Sequence, residues 1–347
     1  MSQRVAIVLF NLGGPDQLQS VQPFLQNLFS DPAILSVPGP VRFLLSRLIS
    51  RRRAPVAQEI YQKIGGRSPL LELTRQQAAA LETAMAAGGD ARVFIAMRYW
   101  HPLADETAHE VKAFAPARVV LLPLYPQYSS TTSGSSIADW HRAARAIGLD
   151  APTTTICCYP TERGLVRAQA DLIRPRIAEA AAMGVPRVLF SAHGLPQKVV
   201  DAGDPYQFQV EQTAAAVAAE LGMPELDWLV CYQSRVGPLK WLQPYTEAEL
   251  ERAGREGVPL VVVPIAFVSE HSETLVELDI EYRERALHAG VPGYFRVPAL
   301  GDAAAFIEGL ARLVREALAR GGTPLAAADG GSRLCPAECR RCAMAAA

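Results

Sequence analysis

The sequence lacks the charge imbalance and the long apolar runs that mark two large classes of protein. Its 34 basic and 35 acidic residues leave a net charge of −1 over 347 residues. Nucleic-acid-binding proteins usually carry a clear basic excess, so we do not expect nucleic acid as a partner. No run of about 18 apolar residues could span a bilayer, and the N-terminal run 5–10 is too short for a signal peptide. We therefore expect a cytoplasmic protein.

Nucleotide-binding fingerprints are also missing. Neither Gly-x-Gly-x-x-Gly nor Gly-x-x-x-x-Gly-Lys-Ser/Thr occurs in the chain, so no nucleotide cofactor is expected. Half of the residues are hydrophobic, which is ample for two buried cores in a chain of this length. The six cysteines of a cytoplasmic protein are expected to be thiols or metal ligands and not disulfides.

Eight strand candidates alternate with helical patterns and fall into two groups of four. Continuous apolar runs separated by helical patterns, such as 75–87, 105–114 and 210–221, are typical of parallel sheets covered on both faces. We predict an α/β fold with two similar Rossmann-like, doubly wound parallel-sheet domains. The predicted strands are 5–11, 93–99, 119–125, 153–158, 188–193, 228–233, 260–268 and 294–298.

Short similarities between the two groups suggest an internal repeat. Segment 10–15 resembles 190–196, and segment 121–125 resembles 263–267. If a domain has been duplicated, the carboxyl edges of two sheets would face one cleft, which is where a ligand would sit.

The fifth predicted strand stops at a histidine. His193 is followed by Gly194 and Pro196, which prevent the strand from continuing. The carboxyl ends of parallel strands face the ligand crevice of an open sheet. Two interpretations are open, namely a turn histidine held by hydrogen bonds and an imidazole that takes part in chemistry.

A row of carboxylates follows the seventh predicted strand. Glu273, Glu277 and Glu281 are spaced by four and share one helical face, and Glu270 and His271 come just before them at the strand end. The row is either a solvated acidic face or a site for cations or protons. Imidazole and carboxylate ligands together suit a borderline divalent ion such as ferrous iron.

Two further segments allow a structural or a functional interpretation. Segment 33–53 predicts a basic amphipathic helix, which is either an ordinary core helix or a lip that touches a membrane surface or an apolar anionic substrate. The hydroxyl-rich loop 125–136 is either a capped turn or a set of donors for the carboxylates of a ligand.

Three cysteines are concentrated in the C-terminal tail. Cys335, Cys339 and Cys342 lie within eight residues and need a fourth ligand to complete a metal site. Zinc and a [2Fe-2S] cluster both accept four cysteines, and the spacing does not choose between them. A disordered tail with reactive thiols is the third alternative.

Nearly the whole chain resembles one family, ferrochelatase, whose members insert ferrous iron into a porphyrin in the last step of haem synthesis. The motifs are many and occur in the family's order. They are Leu12-Gly13-Gly14-Pro15, Tyr61-Gln62-Lys63-Ile64-Gly65-Gly66, Arg98-Tyr99, Tyr125-Pro126-Gln127-Tyr128-Ser129, Ser191-Ala192-His193-Gly194, Gly203-Asp204-Pro205-Tyr206, Gln233-Ser234-Arg235-Val236-Gly237-Pro238 with Trp241, and Pro264-Ile265-Ala266-Phe267 through Tyr282.

The resemblance implies two Rossmann-like halves around a porphyrin cleft. We expect a first domain that combines residues 1–155, which contain the lip helix, with a C-terminal segment from about 305 to 347, which contains the cysteine tail. The second domain, 156–304, carries His193 and Glu273. The implied reaction converts protoporphyrin IX and Fe²⁺ to protohaem with release of two protons. A coproporphyrin-type enzyme, a chelatase for another metal or tetrapyrrole, and a non-catalytic tetrapyrrole or metal carrier remain the alternatives.

The resemblance also implies roles for individual residues. His193 would be the catalytic residue, as proton acceptor, metal ligand or both, and Glu273 would be its partner; which of them delivers the iron stays open. An outer path for protons or metal would run through Glu270, His271, Glu277 and Glu281, with a π-bulge that keeps the row aligned. The implied porphyrin-binding residues are Leu12, Arg53, Tyr61, Tyr125, Ser130 and Trp241.

For the tail, the resemblance favours a [2Fe-2S] cluster held by the three tail cysteines and one distant cysteine. Some members have that distant ligand at the position of Ser130, where this chain has serine. The expected fourth ligand is therefore one of the pair Cys157 and Cys158, with Cys158 preferred. The basic lip at 33–53 would receive a hydrophobic dicarboxylate from a membrane-associated donor, which implies peripheral membrane contact. The oligomeric state is not indicated.

Overall fold

The computed structural model of the chain describes residues 4–86, 89–320, 325–327 and 333–344. The chain forms two compact units, 1–158 with 310–327, and 159–309 with 328–347. The tail therefore groups with the second unit, and not with the first as we expected. The reason is visible in a backbone bond, because the N–H of Arg341 donates to the carbonyl of Gly203 over 2.9 Å.

The first unit contains a parallel sheet with the strand order β2-β1-β3-β4-β9. Its strand β1, which lies between β2 and β3, reads VAIVLFN and is buried almost throughout, as expected for a strand covered on both faces. The strands are β1 (Val5–Asn11), β2 (Ala91–Met97), β3 (Arg118–Pro123), β4 (Thr153–Cys158) and, close to the C-terminus, β9 (Leu325–Ala327). We did not predict β9, because three residues are too few to show a pattern.

The second unit contains a four-stranded parallel sheet with the order β6-β5-β7-β8. Its strands are β5 (Arg187–His193), β6 (Asp227–Gln233), β7 (Leu260–Pro264) and β8 (Tyr294–Arg296). The first four strands of the other unit have the same relative order, which supports the internal repeat. In such an order, ligands bind at the carboxyl ends of the strands on either side of the switch point, here β5 and β7.

The predicted fold class is confirmed, with differences at the strand ends. The predicted strands 119–125 and 260–268 end earlier, at Pro123 and Pro264, since proline has no N–H to donate to a neighbouring strand. The predicted helix 75–87 corresponds to a helix over Leu70–Met85, and residue 87 lies outside the described residues.

Helices connect the strands of both sheets. In the first unit they are α1 (Val21–Ser30), α2 (Gly39–Gln62), α3 (Leu70–Met85), α4 (Ala104–Phe114) and α5 (Ser133–Ala146). In the second they are α6 (Arg163–Ala181), α7 (Gln197–Asp201), α8 (Tyr206–Leu221), α9 (Thr246–Glu256) and α10 (Tyr282–His288), with α11 (Ala304–Ala319) spanning the boundary between units. A π-helix, Glu273–Glu281, leads into α10.

Each sheet has its own apolar core. In the first unit Trp140 of α5 packs edge-on against Phe10 of β1, with ring centroids 6.0 Å apart. In the second unit Phe190 of β5 and Val210 of α8 belong to one buried cluster. None of the described helices is long and apolar enough to cross a membrane.

Candidate active site

An imidazole and a carboxylate meet at the carboxyl edge of the second sheet. His193 ends β5, and Glu273 begins the π-helix that follows β7. The His193 Nδ1 atom lies 2.8 Å from Oε2 of Glu273. Gly194 allows this arrangement, since a Cβ there would lie 3.0 Å from the Gln233 carbonyl oxygen and 3.3 Å from the Trp241 ring. The two groups thus flank the switch point of the sheet.

The two groups perturb each other's protonation. Burial lowers the pKa of His193, but the charge of Glu273 and its hydrogen bond outweigh burial, so the pKa of His193 lies above its ordinary value. Burial raises the pKa of Glu273, but His193 outweighs it and brings the pKa of Glu273 down to about 2. At neutral pH the resting pair therefore contains a carboxylate and favours a protonated imidazole.

A second carboxylate, Glu277, is held on both oxygens. Its Oε1 accepts from the Ser234 backbone N–H over 2.9 Å and from the Tyr282 hydroxyl over 3.0 Å. Its Oε2 accepts from Nε2 of Gln233 over 3.0 Å and from the Ser234 hydroxyl. Burial and the charge of Glu273 nevertheless raise the pKa of Glu277. The paired carboxylates therefore differ, with Glu273 the stronger acid.

Ser234 connects the two carboxylates. Its hydroxyl is also 3.2 Å from Oε2 of Glu273, but a single hydroxyl hydrogen serves one acceptor at a time. The residue has a φ of 63°, which is uncommon for a residue other than glycine. The bonds from both its N–H and its O–H to Glu277 offset the cost of this conformation.

The predicted carboxylate row only partly converges. Glu273 and Glu277 share Ser234 as a partner, because successive turns of the π-helix carry residues about four apart. Glu281 ends the same helix with an exposed side chain. The row thus leads from a half-buried pair to the surface of the second unit.

The two residues before the row have different surroundings. Glu270 bonds to the Arg296 guanidinium over 2.8 Å and to the Ala299 backbone N–H over 3.0 Å. His271 is buried against the Phe267 ring, at a centroid distance of 4.6 Å, and burial lowers its pKa. Glu270 is therefore held in an ion pair, whereas His271 is a neutral imidazole whose Nδ1 has no hydrogen-bond partner among the described residues.

The predicted porphyrin-binding residues are distributed over both units. In the second unit the Trp241 ring stands edge-on to His193, with centroids 6.4 Å apart. In the first unit Leu12 and Tyr61 belong to one apolar cluster, and Arg53 is exposed with its guanidinium 5.7 Å from the centre of the Phe29 ring. Tyr125 and Ser130 are half-buried in the loop after β3.

Sequence reasoning missed Gln233 and Ser234 as site residues, although both lie in a motif that resembles the family. The signal was their place at the carboxyl end of β6, the neighbour of β5, with Gln233 paired to His193 in the register. It also missed a buried network in the first unit. Asp31 accepts from the Arg98 guanidinium over 2.9 Å, from the Tyr99 hydroxyl over 2.8 Å and from the Ser135 hydroxyl.

The tail cysteines form a small cluster of their own. Cys335, Cys339 and Cys342 are buried together against Phe208 of α8, and Nε2 of Gln209 donates to the Cys335 sulfur over 3.1 Å. A hydrogen bond from Cys335 lowers the pKa of Cys342 to about 6. Among the described residues, however, no group of three or more histidine, cysteine or acidic side chains is arranged as a metal site.

The other candidate ligand lies at the end of β4. The sulfur atoms of Cys157 and Cys158 are 3.3 Å apart and buried. An irregular register between β4 and β9 at Ile156 and Cys158 accompanies this pairing of adjacent side chains. Either thiol is therefore a candidate for the fourth ligand.

The polarity of α2 is reversed relative to an ordinary surface helix. Its buried positions include Ser46 and Ser50, whose hydroxyls donate to carbonyls within the helix. Phe43, Leu44 and Leu48 are exposed, at 52%, 67% and 52% of their surface. Exposed apolar patches are a general feature of interaction surfaces.

Two α/β units of like strand order, the second with an imidazole and two carboxylates at its switch point, define an α/β protein whose site is suited to exchanging protons. The comparisons agree. Residues 4–318 match the ferrochelatase family. The ferrochelatases of Phenylobacterium zucineum and Caulobacter vibrioides are 57% and 54% identical over 344 and 345 residues, 98% and 99% of this chain and 98% of each of those proteins. The chain belongs to the ferrochelatase family.

Solved structures share the fold at low sequence identity. SirB from Bacillus subtilis with Fe³⁺ has a TM-score of 0.54 and 13% identity, covering 92% of this chain and 96% of that one. The sirohydrochlorin chelatase SirB of Bacillus subtilis subspecies spizizenii in complex with cobalt has a TM-score of 0.52 and 12% identity, with 92% and 97% covered. At this identity the likeness extends to the fold alone.

Proposed function

We propose that this chain is an enzyme that inserts Fe²⁺ into protoporphyrin IX to give protohaem and two protons, the last step of haem biosynthesis. One observation carries the proposal, namely the pair of His193 and Glu273, 2.8 Å apart at the carboxyl edge of the second sheet. Relatives from 47% to 57% identical over nearly the whole chain bear the name of this activity.

His193 is the base of the reaction. Its Nδ1 faces Glu273, so Nε2 is the nitrogen that takes a pyrrole proton. The carboxylate orients the ring and stabilises the imidazolium that forms. Since the pKa of His193 is raised, the ring must lose its resting proton before it acts as a base.

Binding of the substrate metal explains why His193 loses its resting proton. Glu273 has a pKa of about 2 and is an anionic ligand at neutral pH, with no hydrogen bond to Oε1 among the described residues. Fe²⁺ bound to Glu273 neutralises the charge that holds the proton on His193, so binding releases that proton. Glu277, whose pKa is raised, accepts protons on their way out, with Glu270, His271 and Glu281 as the outer part of the path.

The porphyrin contacts Leu12, Arg53, Tyr61, Tyr125, Ser130 and Trp241. The position of Trp241 beside His193 supports this set. The exposed apolar face of α2 supports peripheral contact of a cytoplasmic enzyme with the inner face of the membrane, where arginines of the same helix meet anionic headgroups. Replacing Leu44 and Leu48 by serine should lower the fraction bound to anionic vesicles, and unchanged binding would contradict this contact.

The tail cysteines and Cys158 are proposed to hold a [2Fe-2S] cluster. Three buried thiols and the N–H of Gln209 directed at Cys335 fit thiolate ligands. When bound, such a cluster supplies one-electron chemistry. Metal insertion into a porphyrin changes no oxidation state, so the insertion step is carried by the residues of the second sheet.

The metallation assay tests the proposal directly. Purified protein is incubated with protoporphyrin IX and either ferrous or zinc ion, and the loss of free-porphyrin fluorescence is followed. We expect turnover by the wild type and a loss of about 10²- to 10⁴-fold in His193→Ala. Binding without turnover would instead identify a carrier. Faster turnover of coproporphyrin would identify the other type of chelatase.

The tail is tested by metal content and absorption. We expect iron, sulfide and the visible bands of an iron-sulfur centre, all lost in Cys339→Ser. Stoichiometric zinc without those bands would overturn the cluster. Cys157→Ser serves as the matched control for Cys158→Ser, because it removes the adjacent thiol at the same strand end.

A further inference from the structure

A line of four hydrogen-bonding side chains runs behind the catalytic carboxylates of the second unit. Cys231, Ser191, Thr246 and Gln233 are at most 2% exposed. The Thr246 hydroxyl lies 3.2 Å from the Cys231 sulfur and 3.0 Å from the Ser191 hydroxyl. The Ser191 hydroxyl lies 2.8 Å from Oε1 of Gln233. Gln233 in turn reaches Glu277, so the line ends at the site.

The carboxylate sets the orientation of the Gln233 amide and of the Ser191 hydroxyl in this line. An ionised carboxylate only accepts hydrogen bonds, so the end of the Gln233 amide that faces Glu277 must be its NH₂ group. The amide oxygen then faces Ser191, which must donate its single hydrogen to it. The Thr246 hydroxyl lies against Ser191 and donates to the Cys231 sulfur.

Cys231, at the far end of the line, stays a neutral thiol. Burial raises the pKa of Cys231 to about 12, so its sulfur keeps a hydrogen across the working pH range. The Gln233 amide cannot reverse without turning its oxygen towards the Glu277 carboxylate, which would leave two acceptors facing each other and is costly.

We propose that Gln233 is a positioning residue, held by Ser191 with Thr246 and Cys231 behind it, which reserves Oε2 of Glu277 as a hydrogen-bond acceptor and leaves Oε1 as the oxygen that takes up a proton. At Oε1 the Tyr282 hydroxyl, 3.0 Å away, is the partner that can change from donor to acceptor. A proton that leaves the site through Glu277 is thus directed towards Tyr282. This inference rests on the proposed function, because it needs a reaction that releases protons.

The test compares the pH dependence of kcat/KM for insertion of Zn²⁺ into protoporphyrin IX. Glu277 accepts protons only when ionised, so activity falls as pH falls through its pKa. Gln233→Met keeps the length of the side chain but removes the N–H that stabilises the ionised carboxylate. Deprotonation of His193 sets one part of the acidic limb and Glu277 another, and we expect the Glu277 part to move to higher pH by about one unit in Gln233→Met, and in the same direction by less in Thr246→Val.

Matched variants separate this role from a general loss of packing. Thr246→Ser keeps the hydroxyl and should retain the wild-type profile. Thr213→Val removes a buried hydroxyl of α8 that donates to the Gln209 carbonyl and should leave the limb in place. Thr246→Val has nearly the shape of threonine, so it keeps the test valid if Gln233→Met does not fold.

Two outcomes are distinguishable. If the wild type inserts metal and the profiles of Gln233→Met and Thr246→Val coincide with it, the positioning role is overturned. If the wild type inserts no metal, the proposed function fails.

Discussion

The two sheets have the same strand order, yet their carboxyl edges carry different chemistry. β5 ends at His193, which faces a carboxylate. β1 ends at Asn11, whose amide donates to Thr74 over 3.1 Å and accepts from the Leu12 N–H over 2.8 Å. Both ends of the Asn11 amide are therefore bonded to residues of its own unit. One topology thus supports a titrating edge in one unit and a structural edge in the other.

The backbone around the two edges is alike. The N–H of Leu124, just after β3, donates to the Phe10 carbonyl over 2.8 Å, and the N–H of Ile265, just after β7, donates to the Ser191 carbonyl over 3.1 Å. The difference between the units therefore lies in the side chains at the two strand ends, although His193 lies one residue further along its strand than Asn11 in this register.

The largest effect is expected when His193, which ends β5 in the second unit, is replaced by asparagine, the residue that ends β1 in the first unit. His193→Asn should lower turnover about 10²- to 10⁴-fold, because an amide does not take a proton. Steady-state metallation measures the loss. Asn11→Ala is the matched control, and a similar loss of turnover there at equal folded fraction would contradict the assignment of chemistry to one edge.

The next largest effect should be on stability, and in the first unit. Asp31→Asn removes a buried charge that pairs with Arg98, leaving a guanidinium with 18% exposure less well compensated. We expect a loss of roughly 3 kcal/mol in the free energy of unfolding, measured by denaturant titration. Turnover per folded molecule should change little. A loss of turnover as large as that expected for His193→Asn would mean that this network takes part in the reaction.

The next prediction concerns the pKa of His193, the residue at the end of β5. Glu273→Gln removes the charge that raises it, so burial dominates and the pKa of His193 should fall. In the wild type the charge on the imidazole is present below its raised pKa and lost as pH rises through it. NMR titration of the ring should therefore show the transition at lower pH in the variant, and an unmoved transition would show that Glu273 does not control the base.

The smallest effect is expected at Asn11 itself. Asn11→Ala leaves the Thr74 hydroxyl and the Leu12 N–H without their partner and should destabilise the chain by about 1–3 kcal/mol. Thermal unfolding measures the change. Asn11→Asp keeps the acceptor for Leu12 but loses the donor to Thr74, so an intermediate stability is expected.

Much of the fold could be predicted from the sequence because buried parallel strands need continuous apolar residues. The run at 5–11 predicts β1 at its observed bounds, and Gly194 with Pro196 places His193 at a strand end. The three-residue strand β9 and the π-helix could not be predicted in the same way. Neither leaves a periodic signal, since one is too short and the other has a turn close to that of an ordinary helix.

The sequence by itself determined the strands, the helices and which residue types stand at the strand ends, since these depend on local polarity and on glycine and proline. Only the tertiary structure decided which groups meet. Ser234 and Gln233 reach Glu277 because β6 lies beside β5 and the π-helix returns over both strand ends. The cysteine tail likewise joins the second unit where Arg340 approaches Gly203. A Cβ atom at position 203 would lie only 2.8 Å from the backbone nitrogen of Arg340. Such meetings depend on contacts between residues distant in sequence, which no local pattern encodes.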